Sequence, residues 1–195
     1  MSIFERSNLI FKHEQGNLIS ILGEDSKLIG TVYHGHSNKM PKVVGNLPLY
    51  HEGRPVLMRT TDIGIEGENG EYLGGINEIA TGTMRVIRRW QIYDQKDTIK
   101  GEVTEKPKFI GSDWVLNDVK YNLLAVAEGD RKKHNYEIVA PDKGKQCIAR
   151  CSSIDKDSYR VEVMTSNIDP LLVISYVIVL DLAKTAYVVT RGGMF

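Results

Sequence analysis

The amino-acid sequence predicts a mainly β protein whose antiparallel sheet closes into a barrel around one hydrophobic helix. Two observations carry that expectation. Short β-rich runs recur as hairpins from Leu9 to Val163, and a nearly unbroken apolar stretch, "DPLLVISYVIVLDLAKTAYVV" from Asp169 to Val189, follows them. A sheet closed on itself has no edge to protect, and a helix apolar on every side needs an enclosure, so one arrangement satisfies both. A chain of 195 residues is long enough for one sizeable core, which points to a single domain over residues 1–195.

Taken in chain order, Leu9–Lys12 is the first strand candidate. Three longer segments then share a rhythm: "ISILGEDSKLIGTVY" from Ile19, "WQIYDQKDTIKGEV" from Trp90 and "YEIVAPDKGKQCIAR" from Tyr136. Each has a β-rich run, a polar turn containing Asp25, Asp94 or Asp142, and a return run, which is the pattern of a hairpin. In the middle one, Ile99, Gly101 and Val103 alternate with Lys100, Glu102 and Thr104, predicting one face on the core and one in water. Tyr159, Val161 and Val163 against Arg160 and Glu162 repeat the alternation. Further strand candidates are Val56–Arg59, Tyr72–Ile76, Met84–Ile87 and Val115–Ala127, with turns in "GENGEY" and "EGD". Two prolines and a glycine make His36–Tyr50 a loop.

The last element needs a separate argument. A helix crossing a bilayer needs about 20 mostly apolar residues, because roughly 30 Å of hydrocarbon must be spanned at 1.5 Å per residue. Leu171–Leu180 supplies ten before Asp181 and Lys184 interrupt at the i, i+3 spacing that lets them pair. Asp169 is placed to cap free helix N–H groups, and Pro170 suits the first turn, so a helix near 170–185 is expected, enclosed and not membrane-spanning. Leu172, Ile174, Val177 and Ile178 then belong to the core. The β-branched content leaves a buried strand as the alternative. If the segment is enclosed, the Ser175 hydroxyl bonds back to a carbonyl one turn earlier, and the Tyr176 hydroxyl reaches the barrel wall or an end.

The order of these segments resembles the tubby C-terminal-like superfamily, which includes the LURP-one-related proteins and the phospholipid scramblases. The resemblance rests on "YEIVAPDKGKQCIAR" and on "DSYRVEVMTSNIDPLLVISYVIVLDLAK". It implies a closed barrel of about twelve strands around a C-terminal helix. The scramblases' acidic stretch before the helix is reduced here to Asn167 and Asp169, too few oxygens for calcium.

Composition narrows function only by exclusion. Lys plus Arg, 25, balance Asp plus Glu, 25, so no global field draws the chain to nucleic acid. Cys147 and Cys151 lie about 13 Å apart along a strand, too far for a disulfide, so reduced thiols in the core and a cytoplasmic setting are expected. The N-terminal residues hold no apolar core of signal-peptide length. "HGH" sets His34 and His36 on one side of an extended segment, but no third ligand follows at a recognisable spacing, and no metal or cofactor is expected. "GIEGENGEYLGG" lacks the Lys-Ser/Thr of a phosphate loop and reads as hairpin turns. No catalytic constellation emerges.

Two basic segments remain. Arg131, Lys132 and Lys133 of "RKKH" fall on a hairpin loop, and Arg85 and Arg89 share a strand face beside Trp90. Either can meet a lipid phosphate, and salt bridges to acidic neighbours are the competing role. The resulting expectation is a non-enzymatic intracellular binding protein, cytoplasmic and peripheral to the membrane, recognising a phosphoinositide or other anionic lipid headgroup through these loops. The alternative is a soluble structural or protein-interaction module whose partner is a protein.

Overall fold

The computed structural model describes residues 3–14, 18–34, 50–51, 54–55, 62–81, 87–107, 112–164 and 167–191. Twelve antiparallel strands close into a barrel. In chain order they are β1 (Asn8–His13), β2 (Ile19–Leu22), β3 (Leu28–His34), β6 (Asp62–Gly67), β7 (Tyr72–Thr81), β8 (Ile87–Asp94), β9 (Ile99–Pro107), β10 (Ser112–Asp118), β11 (Leu123–Asp130), β12 (Asn135–Ala140), β13 (Gln146–Ser153) and β14 (Ser158–Val163). A separate two-stranded ribbon, β4 (Tyr50–His51) with β5 (Arg54–Pro55), lies between β3 and β6 in sequence. Closure is made by β1, which pairs with β2 on one side and with β14 on the other, Leu9 opposite Val161 and Phe11 opposite Tyr159.

Five hairpins share one turn design. In four of them the loop closes with a pair of backbone bonds, Gly23–Lys27, Gly67–Glu71, Asp94–Thr98 and Asp118–Asn122. The fifth passes through a single 3-10 turn, Pro141–Lys143. Each has a residue with positive φ before its return strand: Ser26 (59°), Gly70 (74°), Asp97 (59°), Tyr121 (64°) and Lys145 (61°). Three residues further on, each ladder slips by one, leaving Ile29, Leu73, Lys100, Leu124 and Ile148 unpaired. A bulge bends its strand and increases local twist, so five bulges in phase curl the sheet until its edges meet. All five turns lie at one end of the barrel, the turn end, because every neighbouring pair of strands is antiparallel.

The bulges also correct the alternation expected on β9. Ile99 is 42% exposed, since Lys100 is the inserted residue and Ile99 falls out of phase with Gly101 and Val103; Glu102 keeps its outward phase yet is only 5% exposed, because Arg89 and Thr104 cover it. Val115–Ala127 is likewise two strands, β10 and β11, not one. Its turn is marked by Asp118, whose carboxylate accepts from the Lys120 and Asn122 backbone N–H groups, while Tyr121 takes the left-handed position without a glycine. "EGD", expected as a turn, is the end of β11, and the chain reverses one step later through the 3-10 turn Arg131–Lys133. The segments 35–49 and 56–60, the bulk of Met84–Ile87, and the side chain of His34 lie outside the described residues.

Helix α1 (Pro170–Arg191) threads the barrel and is longer than expected. Asp169 caps it, its Oδ1 accepting from the Leu171 N–H at 2.9 Å. It enters at the turn end, where the wall gives way: a Cβ at Gly101 would sit 2.9 Å from Leu172 Cδ2 and one at Gly74 3.0 Å from Leu171 Cδ1. Every residue from Leu171 to Asp181 is buried, including Leu172, Ile174, Val177 and Ile178, against Phe11, Ile21, Ile65, Ile76, Trp90, Val103, Leu116 and Tyr159 of the wall. Each fully enclosed aliphatic side chain contributes about 1.5–3 kcal/mol, so this packing is the main source of cohesion. Tyr176 reaches the wall as expected, its hydroxyl donating to the Trp114 carbonyl at 2.5 Å. Ser175 differs: its buried Oγ has no hydrogen-bond partner among the described residues. Among the described residues no helix is long and apolar enough to cross a membrane.

Candidate functional site

Where α1 leaves the barrel, opposite the turn end, three polar side chains converge from distant parts of the sequence. Asp181 is the first carboxylate of the helix and is only 3% exposed. His13, the last residue of β1, brings Nε2 to 2.9 Å from Asp181 Oδ2. His134 brings its Nε2 to 3.4 Å from Oδ1. Lys184, the partner expected from spacing, has a side chain outside the described residues. A carboxylate withdrawn from water inside an apolar barrel is costly unless charge or hydrogen bonds meet it, and the two imidazoles meet one oxygen each.

Local chemistry places His134. Asp130 caps the turn Arg131–Lys133, its carboxylate accepting from the Lys132 and Lys133 backbone N–H groups. His134 closes the turn in the left-handed region, φ 52°, and that conformation swings its ring inward. There it stacks on Tyr159, centroids 4.1 Å apart and planes 7° from parallel, and Tyr159 stacks in turn on Phe11 at 5.3 Å. The layered rings fix the imidazole plane. Burial first, then the Asp181 charge, pushes the Tyr159 hydroxyl well above its ordinary value. Tyr136 is pushed up in the same way, chiefly by burial and then by Cys151. The Cys151 thiol is itself raised to about 12, chiefly by burial, so it is protonated at neutral pH and packs as a small hydrophobe. Both cysteines are free, but only Cys151 lies in the core as expected: Cys147 is half-buried, since the bulge at Ile148 takes it off the face that Ala149 and Cys151 share.

The basic candidates fall into two kinds of place. Arg131–Lys133 sits on this same end, packed against α1, with the Lys132 and Lys133 side chains exposed; Lys133 Nζ lies 3.9 Å from Asp130. Lys132 makes no ion pair among the described residues. Arg89 is on the outer wall, where Glu102 takes it bidentately, Nε to Oε1 at 2.9 Å and an NH2 to Oε2 at 2.5 Å, and the Tyr121 hydroxyl adds a contact at 3.4 Å. Thr104 donates to the same carboxylate at 2.7 Å, which accounts for the burial of Glu102. Arg88, on the opposite strand face, pairs with Glu78 and covers the Trp90 and Trp114 rings at 5.2 and 5.8 Å. Arg85 lies outside the described residues.

His13 and Asp181 were not among the candidates read from the sequence, and His134 figured only as the end of a basic run. One signal was present: a lone carboxylate in a helix that must be enclosed requires a partner. Nothing local says which residue that partner is.

A twelve-stranded antiparallel barrel threaded by its own C-terminal helix defines a domain of the tubby C-terminal-like superfamily. The chain belongs to the LURP-one-related family, whose model matches residues 43–181. A solved structure of a protein from Arabidopsis thaliana shares the fold, with a TM-score of 0.53 over 90% of this chain and 90% of its own length at 17% identity. Among curated proteins no match was found.

Proposed function

We propose that this protein is a non-enzymatic, intracellular binding domain that docks at the cytoplasmic face of a membrane and recognises an anionic lipid headgroup, such as a phosphoinositide, through Arg131, Lys132 and Lys133. The observation that carries this reading is the placement of three consecutive cations on one turn. The cap from Asp130 and the packing on α1 hold that turn in place, and two of its ammonium groups face solvent. Each cation near an anionic surface adds about 1 kcal/mol. Arg89 is not part of the proposed site, because the buried Glu102 already occupies its fork.

Flotation with vesicles tests it. The wild-type chain should float with phosphatidylcholine vesicles containing phosphoinositide and stay behind with phosphatidylcholine alone. Lys132→Ser combined with Lys133→Ser should weaken partition by about thirtyfold while the melting temperature is unchanged. A wild-type chain that floats with neither vesicle supports the alternative, a protein-interaction module, which the zero net charge favours.

A further inference from the structure

We propose that His13, His134 and Asp181 form a binding site for a divalent transition-metal ion of the borderline class that zinc represents. Their three ligand atoms lie within 4.8 Å of one another. The two Nε2 atoms approach different oxygens of Asp181, His13 at 2.9 Å from Oδ2 and His134 at 3.4 Å from Oδ1, separations comparable with the roughly 3.4 Å between neighbouring donors around a tetrahedral zinc with bonds of about 2.0–2.1 Å. Two imidazoles and one carboxylate are the donor set of zinc sites that keep a fourth position for water. Calcium and magnesium are excluded by the same set, since both require mainly oxygen ligands.

The surroundings suit such a site in three ways. The donors come from three elements independent in sequence, β1, the β11–β12 turn and α1, so a bound ion would tie the helix exit to two parts of the wall. The His134 ring is already oriented by its stack on Tyr159, and Asp181 is held by the enclosed helix, so little freedom is lost on binding. His13, 39% exposed at the end of its strand, leaves an entry path and room for a water ligand. Burial alone explains a carboxylate with one partner. Two imidazoles presenting Nε2 to the two oxygens of one carboxylate, all at the barrel's end, gather three donors around one point.

The test uses the full-length chain, stripped of metal with a chelator and titrated with zinc and, separately, cobalt(II). Expected are one ion per chain and the visible absorption of four-coordinate cobalt. The melting temperature should rise by about 5–10 °C when free zinc exceeds Kd about a hundredfold. His134→Gln and Asp181→Asn should lose at least tenfold in affinity. His13→Gln should do the same, and because it is half-exposed at a strand end it keeps the test alive if either buried variant fails to fold. A wild-type chain that binds neither ion and melts unchanged would show a hydrogen-bonded triad and nothing more. Binding that persists equally in His13→Gln and in the folded buried variants would place the ion elsewhere. Either result overturns the proposal.

Discussion

The two ends of the barrel are built by different means. At the turn end, five hairpins repeat a short local program: a tight loop, a left-handed residue and a bulge three positions later. Every one of those interactions joins residues close in sequence. At the helix-exit end, the central contact joins residues 13, 134 and 181, and the rings beneath it come from β1 and β14. The contrast shows what each end is suited to do. Local turns define register and curvature and tolerate change one at a time, whereas a polar cluster assembled across the fold depends on all its neighbours and is the natural place for binding.

The largest effect should come from the axis that joins the two ends. Ile174→Asp places an unpartnered charge on a side chain that is 1% exposed, and the chain should lose cooperative thermal unfolding altogether. Ser175→Ala, one residue on, removes a buried hydroxyl that has no partner among the described residues, and should be neutral or stabilising by up to about 1 kcal/mol. If Ile174→Asp melts like the wild type, the helix is not enclosed, and the distinction between the ends collapses with it.

Titration should separate the ends. Tyr136, Tyr159 and Cys151 cluster at the helix-exit end and have folded values raised chiefly by burial, Cys151 from 9.0 to about 12. Their neutral forms are favoured by the fold, so their contribution is complete below about pH 9 and declines as pH rises toward the folded values. Asp94 and Asp118, in the turns, are lowered from 3.8, Asp94 first by the Thr98 N–H and Asp118 first by the Asn122 side chain. Their contribution is complete above about pH 4 and is lost as pH falls through the folded values. Melting curves across both limbs should therefore show a steep alkaline loss and a shallow acid one, because the two aspartates are only half-buried in turns, whereas the phenols and the thiol are enclosed. Asp118→Asn should flatten only the acid limb. An alkaline limb as shallow as the acid one would mean that the phenols and the thiol are hydrated.

The smallest effect belongs to a single turn. Asp97 holds φ 59°, a conformation that glycine adopts freely, so Asp97→Gly should raise stability by about 0.5–1 kcal/mol. A loss of similar size, measured by denaturant titration, would show that the Asp97 side chain does more for the turn than its backbone angle costs.

The sequence by itself determined most of the strands, though not β6, whose "GIEG" carries the glycines of a turn, together with the hairpins around Asp25 and Asp94 and a capped, enclosed helix beginning at Pro170. These features rest on alternation, turn residues and apolar length, which are properties of neighbours along the chain. It could not show that Ile99 is exposed, because a bulge changes the phase of a strand without changing its composition. Nor could it show that Arg89 is taken by Glu102, a match set by which strands lie side by side. Only the tertiary structure brought His13 and His134 to Asp181. Closing the sheet places the end of β1 beside the β11–β12 turn, and the length of the helix places its first carboxylate at that height. A pairing made by the closure of a ring leaves no period or motif in the sequence to mark it.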